Sequence, residues 1–583
     1  MSQLITHVHP QEPFDDFERQ PLLPRKLSQL GPGVAWGDVD GDGFDDLVIG
    51  SGRGGRTAVY LNDRQGRFKP MTGAPLDAPV TRDQAGIIIW QRAIGQPILL
   101  VGSANYEDGL TAGSGVRQYD LARRVVDESL SAQESSTGPL ALADIDGGGN
   151  WALFVGGRVI PGRYPEPASS RIYRYDGTKF QLDPENTKTL ARVGLVSGAV
   201  WSDLDSDGDP ELILACEWGP VRIFRNERGK LVSWDAPVTI NHQRSTINRM
   251  TGWWTGVTTG DIDGDGRLDI VAGNWGLNSP YRATPEQPLR LYYGDLLGRG
   301  TVDVVETEYD TFRRTVVPRQ RLDYLAAGLP LLRERFATFR AFSEATIDEA
   351  LGELRSRSSI TEVSTLAATV FFNRPGYFEA RELPREAQFA PSFSVLVSDF
   401  DGDGQEDVFL SQNFFDLPWE SHRLDAGRGL LLRGDGAGEL RAVPGEESGI
   451  KIYGEQRGAA VCDYDVDGRL DLVVTQNGAE TKLYHNVGGQ AGLRVRLRGS
   501  AGNPLGVGAQ MRLRFGQRLG PMREIHAASG YWSQDSAVQV LGTPVQPTQL
   551  QVRWPGGKIA SYEIPARARE IEVNPDGEIK TIR

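Results

Sequence analysis

Short apolar runs, each closed by an acidic turn, recur along almost the whole chain. Five of them read GVAWGDVD from 33, GAVWSDLD from 198, GVTTGDID from 256, SVLVSDFD from 394 and GAAVCDYD from 458. A second apolar run follows each turn: DLVIGSG, LILACEW, DIVAGNW, DVFLSQN and DLVVTQN. A third often comes next, as in TAVYLND, VRIFRNE and TKLYHNV, with FFNRPGYFEA ahead of the 399 turn. Runs of about five residues, rich in β-branched and aromatic side chains and split by Gly/Asp turns, read as strands. The repeating unit is strand, acidic loop, strand, turn, strand, with a period of roughly 50 to 60 residues.

Two further copies have lost acids. DIDGGGNWA from 144 has Gly148 and Ala152 where the others carry carboxylates, and DLLGRGTVD from 295 keeps only Asp295 and Asp303. Around position 90, GIIIWQRAIGQPILLVGSA has the flanking strands and no acidic loop. Candidate positions are therefore 38, about 90, 144, 203, 261, 295, 399 and 463. Such repetition predicts an all-β fold, a β-propeller. The 261 and 295 copies stand only 34 residues apart and share one blade in the favoured seven-blade count; eight blades is the alternative.

The pattern changes twice. Over 318–355, Leu322, Leu325, Leu329, Leu332, Phe336 and Phe339 follow helical spacing, with Pro330 dividing the stripe. This predicts a helical insertion, either packed on a blade or serving as a lid. From 490 to 583 short alternating runs (LRVRLRG, AQMRLRF, MREIHAASG, TQLQVRWP, IASYEIP, EIEVNP) predict a small β-sandwich. The domains are thus an N-terminal segment 1–30, a propeller 31–489 and a sandwich 490–583. Arg494, Arg496, Arg498, Arg512 and Arg514 alternate on two sandwich strands, giving a basic face that is solvated, docks on the acidic propeller or binds an anionic glycan.

In D-x-D-x-D-G-x-x-D, carboxylates at positions 1, 3, 5 and 9 and a carbonyl at 7 converge on one point. Anionic oxygen ligands on a flexible loop suit Ca²⁺, whereas Zn²⁺ would want His or Cys. No glutamate stands at position 12 and the flanks are strands, so an EF-hand is excluded. The first site comprises Asp38, Asp40, Asp42, Phe44 (carbonyl) and Asp46. The second comprises Asp203, Asp205, Asp207, Asp209 (carbonyl) and Glu211, and the third Asp261, Asp263, Asp265, Arg267 (carbonyl) and Asp269. The fourth is Asp399, Asp401, Asp403, Gln405 (carbonyl) and Asp407; the fifth is Asp463, Asp465, Asp467, Arg469 (carbonyl) and Asp471. Five such loops imply about five Ca²⁺ sites, mainly structural. Their ten positive charges would leave about −4 of the formal −14.

That acidity argues against nucleic-acid or anionic-membrane partners. No run approaches ~18 apolar residues, so no transmembrane helix is expected. The opening MSQLITHVHPQEPFDDF does not read as a signal peptide. Cys216 and Cys462 sit in apolar runs and read as core thiols without a disulfide. Trp253, Trp254, Trp275 and Trp419 could stack on sugars, although aromatics in propeller strands are usually core. The six histidines show no metal spacing, and no G-x-S-x-G occurs, so catalysis has no positive sequence support.

These loops resemble the FG-GAP/VCBS repeats of integrin α-type propellers. The segments GLRVRLRGSAGNPLGVGAQMRLRF, ASGYWSQDS and LQVRWPGGK resemble the ASPIC/UnbV domain found after such repeats in the cartilage acidic protein family. FDDFERQPLLPRKLSQLGPG and EAQFAPSFSVLVSDFDGDG look like bacterial members. The resemblance implies an extracytoplasmic, calcium-stabilised binding or adhesion module with a protein or carbohydrate partner. It also suggests membership of a longer chain or surface assembly. The rival function is a polysaccharide lyase or hydrolase built on the same propeller.

Overall fold

In the computed structural model, which describes residues 4–418 and 421–583, seven antiparallel sheets stand radially around one axis. Their innermost strands are Val34–Gly37, Asp83–Gln91, Ser136–Asp144, Leu195–Ser202, Val257–Gly260, Ser392–Ser398 and Gln456–Cys462. Each neighbours the next, and the last returns to the first, so the ring is closed and the protein is a seven-bladed propeller. Both faces of a blade pack against neighbouring blades. Inner strands therefore read as nearly continuous apolar runs: Asp46–Ile49 and Glu211–Gly219 are buried almost throughout. Separate apolar clusters fill the gaps, such as Phe154, Trp201, Leu212 and Phe224 between blades 3 and 4. Cys216 and Cys462 are buried there as free thiols.

The 295 copy belongs to no blade. Strands Asp269–Ala272 and Thr369–Arg374 pair directly within blade 5, and everything between them is an insertion. That insertion forms its own sheet, in the order Thr315–Pro318, Asp303–Asp310, Leu289–Gly294, Ser359–Val363. The predicted helical stretch is a set of short helices, Leu322–Gly328, Leu331–Arg335, Phe339–Ser343 and Ile347–Leu351, broken at Pro330. Leu322, Leu325, Leu329 and Leu332 are buried against Leu22, Leu23 and Leu27 of the N-terminal segment, whereas Phe339 is largely exposed. The insertion is a packed excursion over one propeller face.

Both ends of the chain fill the axis. From the insertion side, Arg25 enters between Trp253 and Trp275, 4.6 and 4.5 Å from the ring centroids, and pairs with buried Glu217. Glu217 also holds Arg158 and accepts from the Tyr164 hydroxyl at 2.7 Å. From the other side, residues 527–536 of the C-terminal domain reach inner strands all round the ring. Ser533 and Gln534 pair in parallel with Val34 and Ala35, and the Gln534 amide closes both hydrogen bonds of Ile89. Ala527 O accepts from Leu142 N, Trp532 Nε1 donates to Ser197 O, Gly530 exchanges backbone hydrogen bonds with Val257, and Ser536 N donates to Val461 O. Tyr531 meets Phe393 edge-on at 5.3 Å. Gly256 is required here, because a Cβ would lie 2.9 Å from the Gly530 carbonyl oxygen. Residues 6–9 add a clasp: His9 N on Ala479 O and Thr481 N on His7 O fasten the segment to blade 7, and Tyr60 of blade 1 donates its hydroxyl to Thr6 O at 3.1 Å.

The remaining C-terminal strands form two sheets around Val495, Met511, Leu513, Leu550, Val552 and Ile571. The run MREIHAASG is not one of their full strands. Only Arg523–Glu524 pairs in the sandwich, and beyond Ile525 the chain leaves it to become the axial segment.

Candidate metal centres

Every acidic loop leaves the end of an inner strand on the propeller face covered by the C-terminal domain. The first aspartate accepts from the backbone N–H five residues on in all five loops: Asp38 from Gly43, Asp203 from Gly208, Asp261 from Gly266, Asp399 from Gly404 and Asp463 from Gly468, at 2.8–3.0 Å. The last acid accepts from the N–H at position 2, as Asp46 does from Val39 and Glu211 from Leu204. Position 4 is left-handed as well as position 6. Ser206 (φ 64°) and Val466 (φ 62°) adopt there a conformation uncommon for any residue but glycine and most strained for the β-branched Val466.

These turns gather the carboxylates. Ligand atoms of Asp38, Asp40 and Asp42 lie within 4.8 Å of one another, as do those of Asp203, Asp205 and Glu211, of Asp261, Asp263 and Asp265, and of Asp399, Asp401 and Asp407. In the fifth loop the group is Asp465, Asp471 and His485, whose Nδ1 is 3.1 Å from Asp471 Oδ1. His485 was not singled out by the sequence, because its partners belong to the loop fourteen or more residues earlier. The peptide N–H groups of the five carbonyl residues bond the preceding acids: Phe44 to Asp42, Asp209 to Asp207, Arg267 to Asp265, Gln405 to Asp403 and Arg469 to Asp467.

An asparagine in the third strand completes the arrangement, and sequence reasoning missed it although it stands in each quoted segment (YLND, FRNE, FFNR, YHNV). Asn62, Asn226, Asn373 and Asn486 each donate Nδ2 to the position-2 carbonyl of the preceding blade's loop, at Tyr464, Ile145, Leu204 and Phe400, all at 2.7–2.8 Å. Each loop is thereby fastened to its neighbour.

The donor set fits a hard divalent cation. Asp261 Oδ1, Asp263 Oδ1 and Asp465 Oδ1 are buried with no hydrogen-bond partner, an expensive state for a carboxylate oxygen unless a cation takes it. Burial, reinforced by neighbouring carboxylates, pushes Asp46, Asp269 and Asp407 up to about 8 and Glu211 and Asp471 to about 9. In the decayed copies Arg299 bonds Asp303 at 2.6 Å and the Asn150 amide bonds Asp146; arginines also reach acids of intact loops, as Arg374 does Asp263 and Arg433 does Asp401.

These raised values fix a pH dependence for cation-free protein. Folded loops retain protons that the unfolded chain releases, so stability is highest at low pH and falls as pH rises through about 8. Chelator-treated protein should melt about 5 °C or more higher at pH 5.5 than at pH 8 by calorimetry. The opposite slope would contradict the burial of these acids.

The basic strands of the sandwich dock on this face. Arg494 is buried against Asp463 and Glu570, Arg496 bonds Glu570, and Arg512 lies beside Gly266. The solvated-face expectation fails for Arg494, since these side chains neutralise propeller carboxylates and glutamates of their own domain. Trp253, Trp254 and Trp275 are 1%, 0% and 3% exposed, which removes them as sugar platforms; Trp419 lies outside the described residues.

The fold and the loops together define a seven-bladed propeller in which five blades carry a repeated acidic loop. Family profiles match an FG-GAP repeat at 30–62, FG-GAP-like repeats at 203–272 and 399–474, and the ASPIC and UnbV domain at 499–580. The chain is similar to cartilage acidic protein 1 of Mus musculus, 22% identical over 571 residues covering 92% of this chain and 72% of the relative. The Homo sapiens protein of that name is also 22% identical, over 92% of this chain and 70% of its own length. Among solved structures, a rhamnogalacturonan lyase matches at 12% identity and TM-score 0.30, covering 90% of this chain and 98% of its own. At that score the likeness adds nothing to the fold assignment.

Proposed function

We propose that the protein is a calcium-stabilised binding module of adhesion type, with a protein or carbohydrate partner. Four carboxylate triads and the group of Asp465, Asp471 and His485 support the calcium reading. The sites would be completed by the carbonyls of Phe44, Asp209, Arg267, Gln405 and Arg469. Bound calcium would neutralise the five loops and brace the inner hairpins of the blades that carry them. Because one propeller face lies under that sandwich and the other under the insertion, the partner would not meet bare propeller loops. A groove of about 1140 Å³ beside the insertion, lined by Trp218, Asn241, Arg244, Asn248 and Arg249, offers the larger surface. No helix among the described residues is long and apolar enough to cross a membrane. An extracytoplasmic setting would let weak loops of ~10⁻⁴–10⁻³ M stay filled.

Elemental analysis after dialysis against millimolar calcium should find five equivalents, falling by one in Asp401→Ala. A stoichiometry near zero would remove the reading. Incubation with acidic and neutral polysaccharides tests the rival enzyme: turnover abolished by a substitution outside the loops would favour it.

A further inference from the structure

One loop differs from the other four in what covers it. Asp203, Asp261, Asp399 and Asp463 are 4%, 1%, 5% and 4% exposed, whereas Asp38 is only half-buried. C-terminal residues close the four: Gly557 backs onto Gly208, Met522 N donates to Asp261 at 2.8 Å, Pro544 abuts Gly404, and Arg494 pairs with Asp463. The first loop meets the C-terminal domain near its end, where Ser536 Oγ donates to Asp45 Oδ2 at 2.6 Å, but around Gly41 and Gly43 an added Cβ would meet nothing within 4 Å.

In place of a cover stands a cavity of about 280 Å³. Asp38 and Gly43 line one side of it, Leu505 and Arg498 of the sandwich the other. The nearest carboxylate to Arg498 is Glu572, at 4.0 Å. Two deeply buried polar groups of the lining lack partners. Gln91, 7% exposed, donates Nε2 to Asp38 O at 2.8 Å and leaves Oε1 unpaired, and fully buried Trp36 leaves Nε1 unpaired. An unpaired acceptor and an unpaired donor beside a cation loop and a guanidinium describe a hydroxylated carboxylate ligand.

Resting on the calcium reading above, we propose that the 38–46 loop holds an exchangeable cation, and that this cavity admits a small hydroxy-carboxylate of the uronate class to it. The ion and Arg498 share its negative charge; Gln91 and Trp36 bond its hydroxyl groups.

Two measurements on the calcium-loaded full chain test this. Mixed with excess chelator in a stopped-flow instrument, one equivalent of calcium should leave about ten-fold or more faster than the remaining four. That phase should vanish in the double variant Asp40→Asn/Asp42→Asn. By calorimetry, glucuronate should bind the unaltered protein and not the double variant, bind about five-fold more weakly to Arg498→Gln, and outcompete glucose. Release of all calcium in one phase overturns the proposal, as does glucuronate binding that survives loss of the first ion. If no calcium is bound at all, the calcium reading of the whole ring falls with it; five ions without glucuronate binding overturn only the ligand.

Discussion

Removing divalent cations should lower the melting temperature by about 10 °C, the largest single effect expected of this protein. A ligand that binds only the folded chain stabilises it by about 2.7 kcal/mol when present at 100 times its dissociation constant. Five loops then supply roughly 13 kcal/mol, and a chain of this length unfolds with an entropy of roughly 1.2 kcal/mol/K. Orphaned oxygens at Asp261, Asp263 and Asp465 give the physical reason: without a cation each stays desolvated and unpaired. Calorimetry before and after EDTA, with calcium and then magnesium added back, checks the result. Calcium should restore the transition and magnesium should restore less, since Mg²⁺ rarely accepts an all-protein cage. A transition that ignores EDTA would leave the loops as turns.

The second large effect is expected on the opposite face. Replacing Glu217 by leucine strands Arg25 and Arg158 at the axis and should cost about 3–5 kcal/mol in urea unfolding at pH 7. Burial alone would raise this carboxyl, but the Arg158 and Arg25 guanidiniums and the Tyr164 hydroxyl outweigh it and hold it near 2 rather than 4.5. Its contribution is therefore present above pH 4.5 and is lost only as pH falls through about 2. The gap between the variant and the parent should persist at pH 4. A gap that closes there would mean that the carboxylate is not held by its arginines.

Much of this was legible from local chemistry. An acidic loop needs its aspartates, glycines and flanking strands within a dozen residues, so five copies declared themselves and the ring followed from their repetition. Long-range chemistry was hidden. Asn62 donates to a carbonyl 402 residues away, and nothing in YLND announces it until the same asparagine is seen in FRNE, FFNR and YHNV. The 295 copy misled because its strands have blade-like composition; only the direct pairing of Ile270 with Phe371 shows that the chain had left the ring and come back. HAASGYWSQDS reads as strand and turn, since its real partners are seven separate strands. The arginine stripe looked solvated because its carboxylates, Asp463 of the propeller and Glu570 more than seventy residues on in the sandwich, are distant in sequence.

The parallel pairing of Ser533 and Gln534 with Val34 and Ala35 has a consequence for synthesis. A ribosome delivers the first blade some 500 residues before the segment that fills the axis beside it, so every nascent chain passes through a stage with an uncorked ring. Contacts of such separation are the slowest to form, and open edges and apolar surface are exposed meanwhile. The last domain thus sets when the polypeptide stops being a substrate for proteases and chaperones, and a chain cut short before Ser533 would remain one.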